Sequence, residues 1–374
     1  LTEYGVVTLK ISLFLPSLRG GGAERVMVNL AREFAEQGLE VDLVLARVEG
    51  PYLSQVAPGV RVVDLHASRV LASLPGLACY LRRERPHVLF SALDHANIVA
   101  VMARRLAGVP TRVVVSIHNI ASVASRTSTH LRARFLPYLA SKFYPGADAI
   151  VAVSRGVAED LVRISGIPLE CIKVIYNPIV TMELVTRAQE PVEHPWFAPG
   201  ELPVILGVGR LTKLKDFPTL IQAFAQVRAD HPARLMILGE GEDRHKLETL
   251  IQQLGLEREV ALPGFADNPY AYMARSAVFV LSSACEGLGN VLIEAMACGC
   301  PVVSTDCPSG PAEILENGKY GPLIPVGDVE QMARTIQMVL DSPADREGLR
   351  VRAAAFSLKS SCEQYLRLLA GSEP

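Results

Sequence analysis

The chain has 374 residues, 49% of them hydrophobic and 20% charged, with 28 Gly and 25 Pro scattered rather than clustered. That supplies enough apolar side chains for two domain cores and excludes a disordered chain. The formal net charge is only −2, but residues 1–180 carry 20 Lys and Arg against 14 Asp and Glu, and residues 181–374 carry 17 against 25; the asymmetry suits a first half that meets an anionic surface, and equally suits ordinary variation.

In chain order, KISLFLP (10–16) predicts a buried strand, Gly20-Gly21-Gly22 a turn, and AERVMVNLAREFAEQG an amphipathic helix with apolar residues at 26, 27, 30, 31 and 34 that stops at Gly38. VDLVLA returns to strand, and HVLFSA, RVVVSI, AIVAVS and KVIYN continue a βα rhythm. The stretch 187–203, RAQEPVEHPWFAPGELP, has four prolines and little periodicity and predicts a linker. A second βα series follows through VILGVG, RLMILG, VALPGF, VFVLSS and PVVST, with a last helix over about 356–370. The expected architecture is therefore α/β, with two doubly wound parallel sheets whose strand C-termini carry the ligand site.

Seven cysteines, at 79, 171, 285, 298, 300, 307 and 362, are odd in number and lack C-x-x-C spacing, so neither a disulfide framework nor a zinc site is expected. No apolar run reaches the roughly 18 residues of a spanning helix, and no secretion signal is seen at the start. A cytoplasmic chain is the expectation.

The stretch EGLGNVLIE (286–294) carries the most chemistry. Glu286 and Glu294 flank a glycine turn between a predicted strand and a predicted helix, a junction that aims backbone N–H groups and the positive helix end at one point, where phosphate binds. Arg210 and Lys215 follow the strand VILGVG and precede a helix with Asp216 as its expected N-cap and Pro218 in the first turn. Two cations there would neutralise a diphosphate; a solvated basic loop is the plainer alternative. Gly20-Gly21-Gly22 does not make the G-x-G-x-x-G fingerprint, which disfavours a nicotinamide cofactor.

These residues resemble the two-glutamate motif of the retaining, nucleotide-sugar-dependent glycosyltransferases of family 4. The likeness extends, in the family's order, through GGGAERVMVNLA (20–31), SIHN (116–119), VSRGVAEDL (153–161), YNPI (176–179), VGRLTKLKDFPTLIQAFA (208–225), LGEGEDRHKLE (238–248), LPGF (262–265) and GPAEIL (310–315). The resemblance implies the GT-B fold: two facing Rossmann-like domains with a deep interdomain cleft. Residues 1–185 would be the acceptor-binding domain, 186–203 the linker, 204–355 the nucleotide-sugar-binding domain, and 356–374 a helix crossing back to the first domain.

It also implies roles. Arg210 and Lys215 would hold the leaving diphosphate in place of a metal ion, Glu294 the ribose hydroxyls, and Glu286 the donor sugar. Backbone N–H groups of Leu288, Gly289, Asn290 and Val291 would meet sugar and phosphates. Gly21 and Gly22 would close on donor phosphate and acceptor, Gly209, Gly239 and Gly241 would line the nucleotide, and the stretch from Leu262 to Phe265 would give backbone contacts to the base. His118 would stand beside the donor sugar, and Asn119 and the pair Asp94-His95 would reach the acceptor side. Ser154 and Asn177 would hold loops, and Glu313 reads as a helix-start acid.

The implied activity is transfer of a hexose or N-acetylhexosamine, with retention and without metal or cofactor, from a UDP-sugar to a glycan or lipid-linked acceptor in cell-surface polysaccharide synthesis. Residues 69–86 and 125–145 mix Arg with Leu, Phe and Tyr, the composition of a helix lying in a headgroup region, and equally of a core-facing helix with solvated Arg. Peripheral contact with an anionic membrane is thus an expected partner interaction; nucleic acid is not. The alternatives are a GT-B-fold UDP-sugar epimerase and a non-catalytic sugar-nucleotide-binding protein.

Overall fold

The computed structural model describes residues 9–19, 21–123 and 136–371. Gly20 and most of the proposed headgroup segment 125–145 lie outside the described residues. The chain divides into two compact units: residues up to Pro178 together with those from Leu358 onward, and Ile179–Ser357.

The first unit is built on strands β1 (Lys10–Leu15), β2 (Glu40–Leu45), β3 (Val60–Asp64), β4 (Val88–Ala92), β5 (Arg112–Ile117), β6 (Ala149–Ala152) and β7 (Ile172–Val174), in the spatial order β3-β2-β1-β4-β5-β6-β7. All pairings are parallel; Ile11 of β1 aligns with Val41 of β2 on one side and Val88 of β4 on the other. A parallel sheet covered by helices on both faces needs near-continuous apolar strands, and VLFSA and VVVSI are buried at every position. The strand β3 escapes sequence reading because Arg61 and Val62 are exposed at the sheet edge, which leaves VRVVD without a buried run.

At the amino end of this sheet a polar knot replaces apolar packing. Asp42, 1% exposed, accepts from Tyr80 Oη at 2.5 Å and from Arg61 Nε and Nη2 at 2.7 and 2.5 Å, and Ser12 Oγ meets Tyr80 Oη at 2.6 Å. Burying a carboxylate is costly unless it is fully hydrogen-bonded, and these donors meet that demand. Arg61 and Lys10 in turn hold the Glu84 carboxyl down to about 2.

The helix Leu358–Leu369 completes the first unit. It buries Tyr365, Leu368 and Leu369, and the Tyr365 ring lies 5.2 Å from that of Phe90 on β4.

The second unit carries β8 (Val204–Val208), β9 (Arg234–Leu238), β10 (Val260–Gly264), β11 (Val278–Leu281), β12 (Val302–Thr305) and β13 (Leu323–Ile324), ordered β10-β9-β8-β11-β12-β13 and parallel throughout. Its core joins Leu220, Phe224 and Val227 of the helix Phe217–Asp230 to Leu235 and Ile237 of β9, with Met332 and Ile336 of the helix Val329–Asp341. Asp328 caps the latter by accepting from Gln331 N.

The segment expected as a linker, 186–203, lies within the second unit, and the change of unit falls at Pro178 instead. Arg187 bonds Asp267 at 2.6 Å, and Arg275 donates to the Ala188 carbonyl at 3.1 Å. Phe197 packs edge-on against Tyr272 and Trp196 lies under Arg234. The segment is anchored by aromatic and backbone contacts rather than by a repeating apolar face, which is why periodicity misreads it.

Candidate functional site

In open parallel sheets ligands bind outside the strand C-termini where the strand order reverses. In the second unit that point lies between β8 and β11. The loop after β8 carries Gly209, Arg210 and Lys215; the loop after β11 carries Ser282 to Gly289. Ser282 Oγ donates to the Lys215 carbonyl at 2.7 Å, and Ala284 N to the Leu214 carbonyl at 2.8 Å. So fixed, Lys215 Nζ reaches Glu286 Oε1 at 2.5 Å, and Ser283 Oγ donates to the same oxygen at 2.6 Å. The side chains are 22% and 12% exposed, so both remain reachable from solvent. Arg210 is exposed on the same loop.

Behind them begins the helix Asn290–Ala297, with Gly289 at its N-cap (φ 98°). Its first turn adds the N–H ends of Asn290 and Val291 and the positive end of the helix dipole. Leu288 is buried, and Glu294, one turn in, is 5% exposed. Ser309 Oγ donates to the Gly287 carbonyl at 2.7 Å and braces the turn from the β12 side.

The loop after β9 closes on the loop after β8. A Cβ at Gly239, where φ is 141°, would lie 2.0 Å from the Gly209 carbonyl oxygen, so only glycine lets these strands end so close together. The Leu262 carbonyl on β10 accepts from Arg244 Nη2 at 2.7 Å, an anchor that fixes the backbone of that strand. Glu313 stands in the first turn of the helix Pro311–Ile314.

In the first unit the strand order reverses between β1 and β4. Gly21 is the N-cap of the helix Gly22–Glu36, directly after β1. After β4, Leu93 takes a positive φ of 76°, a strained conformation for a leucine, and delivers Asp94 to the start of the helix Asp94–Ala107. Asp94 is 9% exposed and accepts from Tyr144 Oη at 3.1 Å. Burial raises its pKa to about 6, against the bond from Tyr144 and with a smaller push from Asp160.

On the neighbouring strand β5, Ser116 Oγ lies 3.0 Å from His118 Nε2, and Asn97 Nδ2 donates to the Ser116 carbonyl at 2.9 Å. Burial lowers the His118 pKa to about 4, so the imidazole is neutral at pH 7. His95 and Asn119 are exposed beside these groups in sequence. Ser154 caps the helix Arg155–Ser165 by accepting from Val157 N.

Sequence reasoning missed the hydroxyls that position the charged groups: Ser282, Ser283, Ser116 and Tyr144. For three of them a signal exists, since each lies within two residues of a buried strand's end, where side chains leave the sheet toward the ligand face. Tyr144 has no such signal; only the fold brings it to Asp94.

Two family models match the chain in succession, Glycosyltransferase Family 4 over residues 20–183 and Glycosyl transferases group 1 over residues 189–356. With its two parallel-sheet units, the chain belongs to glycosyltransferase family 4 and has the GT-B fold.

Among its relatives, the Campylobacter jejuni N-acetylgalactosamine-N,N'-diacetylbacillosaminyl-diphospho-undecaprenol 4-alpha-N-acetylgalactosaminyltransferase is 32% identical over 97% of this chain and 100% of that protein. The lipopolysaccharide core biosynthesis glycosyltransferase LpsE of Rhizobium meliloti is 29% identical, covering 94% and 96% of the two chains. Anabaena HepE in complex with UDP-glucose superimposes with a TM-score of 0.80 at 22% identity, covering 97% and 100%. The fold and the family together make this chain a hexosyltransferase.

Proposed function

We propose that the enzyme transfers a hexose or N-acetylhexosamine from a UDP-sugar to a glycan or lipid-linked acceptor, with retention of anomeric configuration and without a metal ion. The observation that carries this reading is the pairing of Lys215 with Glu286 at the point where the second sheet reverses its strand order. A cation held there by a carboxylate is preorganised for a diphosphate: the ligand's charge takes Lys215 from Glu286, and Arg210 and the helix end at Asn290 add to it. Glu286, released, is left to accept from sugar hydroxyls, and Glu294 is assigned to the ribose.

Departure of the diphosphate would leave an oxocarbenium-like sugar. In same-face substitution the acceptor hydroxyl attacks from the side the diphosphate leaves, and a diphosphate oxygen takes its proton. His118, half-buried and kept neutral by the desolvation that lowers its pKa, suits a hydrogen bond to the sugar rather than a second positive charge beside the cationic centre. Asp94 and Asn119 are assigned to the acceptor.

The acceptor kind is supported by the names of relatives that act on undecaprenol-linked sugars and on lipopolysaccharide core, and the donor kind by the UDP-glucose bound in HepE. Peripheral membrane contact from a cytoplasmic position rests on the exposed Leu71, Arg82 and Arg83 around the helix Leu74–Glu84. Among the described residues no helix is long and apolar enough to cross a membrane.

The test is thermal-shift binding with UDP, GDP, ADP and their hexose conjugates in EDTA, followed by transfer from the stabilising donor and NMR of the product's anomeric proton. A ligand at about 100 times its Kd stabilises the fold by roughly 2.7 kcal/mol. No shift with any nucleotide would overturn the donor assignment; an inverted product would overturn the mechanism; activity lost in EDTA and restored by Mg²⁺ would overturn metal independence.

A further inference from the structure

The turn that carries Glu286 runs beside the turn after β12, and two hydrogen bonds tie them together. Thr305 Oγ1 donates to the Ser283 carbonyl at 2.6 Å, and Ser309 Oγ donates to the Gly287 carbonyl at 2.7 Å. Each tie joins residues 22 apart in sequence, and each turn spans five residues from the first tie to the second. The middle residue of one span is Cys285 and of the other Cys307, also 22 apart. The two strands feeding these turns are parallel neighbours, with Leu281 aligned on Ser304. Two turns held at hydrogen-bond distance on both sides of their middle residues bring those residues close together, as a disulfide, which spans roughly 4.4–6.8 Å between Cα atoms, requires.

We propose that Cys285 and Cys307 form a redox pair whose disulfide pulls the Glu286 turn away from Lys215 and closes the donor site to nucleotide. The second half of this inference rests on the donor site proposed above. Both residues are reduced thiols in the structure; Cys285 is half-buried and Cys307 is 2% exposed. Burial foremost, then the adjacent Glu286 carboxylate and Cys285, push the Cys307 thiol up to about 12, which places all three groups in one neighbourhood and makes Cys307 the slower thiol to react unaided.

The chemistry needs a low-molecular-weight disulfide as oxidant. The Cys285 thiolate attacks one of its sulfurs and expels a thiolate, forming a mixed disulfide. The Cys307 sulfur, after losing its proton to water, attacks Cys285 Sγ and expels the second thiolate. One small disulfide becomes two small thiols, and the protein loses two hydrogens. The new bond lies one residue from Glu286, whose Oε1 must stay within reach of Lys215 and Ser283 for the turn to keep its shape.

The experiment treats the full chain with oxidised glutathione, blocks remaining thiols by alkylation, and maps disulfide-linked peptides by mass spectrometry while UDP affinity is followed by calorimetry. The expected result is a peptide pair joined through Cys285 and Cys307, with UDP binding weakened at least tenfold and restored by dithiothreitol. Cys285→Ser and Cys307→Ser should each keep reduced-state affinity after the same treatment. A map without that linkage overturns the proposal, and so does a linked protein that binds UDP as before, or a loss of binding that persists in both variants. Should the reduced wild type bind no UDP, the donor assignment falls by itself, and the linkage map alone decides the thiol pair.

Discussion

Replacing Lys215 by alanine tests the proposed donor site most directly, because its effects on folding and on binding can be separated. Lys215 Nζ stands 2.5 Å from Glu286 Oε1, with side chains 22% and 12% exposed. Breaking a fully buried pair costs about 3–5 kcal/mol and an exposed one about 0–1 kcal/mol. This pair lies between those limits, and Ser283 Oγ still serves Glu286, so Lys215→Ala should cost about 1–2 kcal/mol in urea unfolding. For UDP the loss is that of a charge-assisted hydrogen bond, about 1.5–3 kcal/mol, or roughly 10–150-fold in Kd by calorimetry. Glu286→Gln supplies the opposite sign: it frees Lys215 and removes a negative charge from the diphosphate's surroundings, so UDP should bind at least as tightly while transfer slows. A folded Lys215→Ala protein whose UDP affinity stays within threefold of wild type would refute the reasoning.

Gly310→Ala should destabilise the second unit by more than about 2 kcal/mol, since φ is 58° and the added Cβ would lie 1.8 Å from the Leu288 carbonyl oxygen; a thermal midpoint unchanged from wild type would contradict this. Tyr80→Phe removes a donor from the buried Asp42 and should cost about 1–3 kcal/mol, lowering the urea midpoint at unchanged m-value; a cost under about 0.5 kcal/mol would show the knot tolerates its loss. The pH dependence of stability should change sign of slope by residue. Asp94, raised to about 6, keeps its proton in the folded state, so its contribution is full below about pH 4 and is lost as pH rises to 6, of order 3 kcal/mol. His118, lowered to about 4, acts the other way, because the unfolded chain holds the proton between about pH 4 and 6.5. Asp94→Asn should therefore make stability rise more steeply from pH 4 to 6 in urea titrations; an unaltered slope would mean Asp94 is ionised throughout.

The strands legible in the sequence are those buried on both faces, where VVVSI and VFVL admit few other readings. The strands β3 and β13 were not legible: one is half-exposed at an edge, and the other is two residues long. Lys215 and Glu286, 71 positions apart, were legible as candidates because each follows a predicted strand; that they meet follows from β8 and β11 being neighbours, which no local pattern states. Tyr144 was invisible for the same reason: a hydroxyl's worth depends on what lies within hydrogen-bond reach of it, and its neighbour Asp94, 50 positions away, is set by the fold.

The helix Leu358–Leu369 has a consequence for how the molecule is made. The first unit receives its last helix only after the ribosome has delivered the whole of Ile179–Ser357, an interval of roughly 10–40 s at about 5–20 residues per second. Until then Phe90 lacks the Tyr365 ring that covers it. The later-made unit can reach its native state first, while the earlier one waits with an apolar flank open to chaperones and proteases. A premature stop codon near position 357 would thus spare every candidate donor and acceptor residue and still leave the cell without the enzyme.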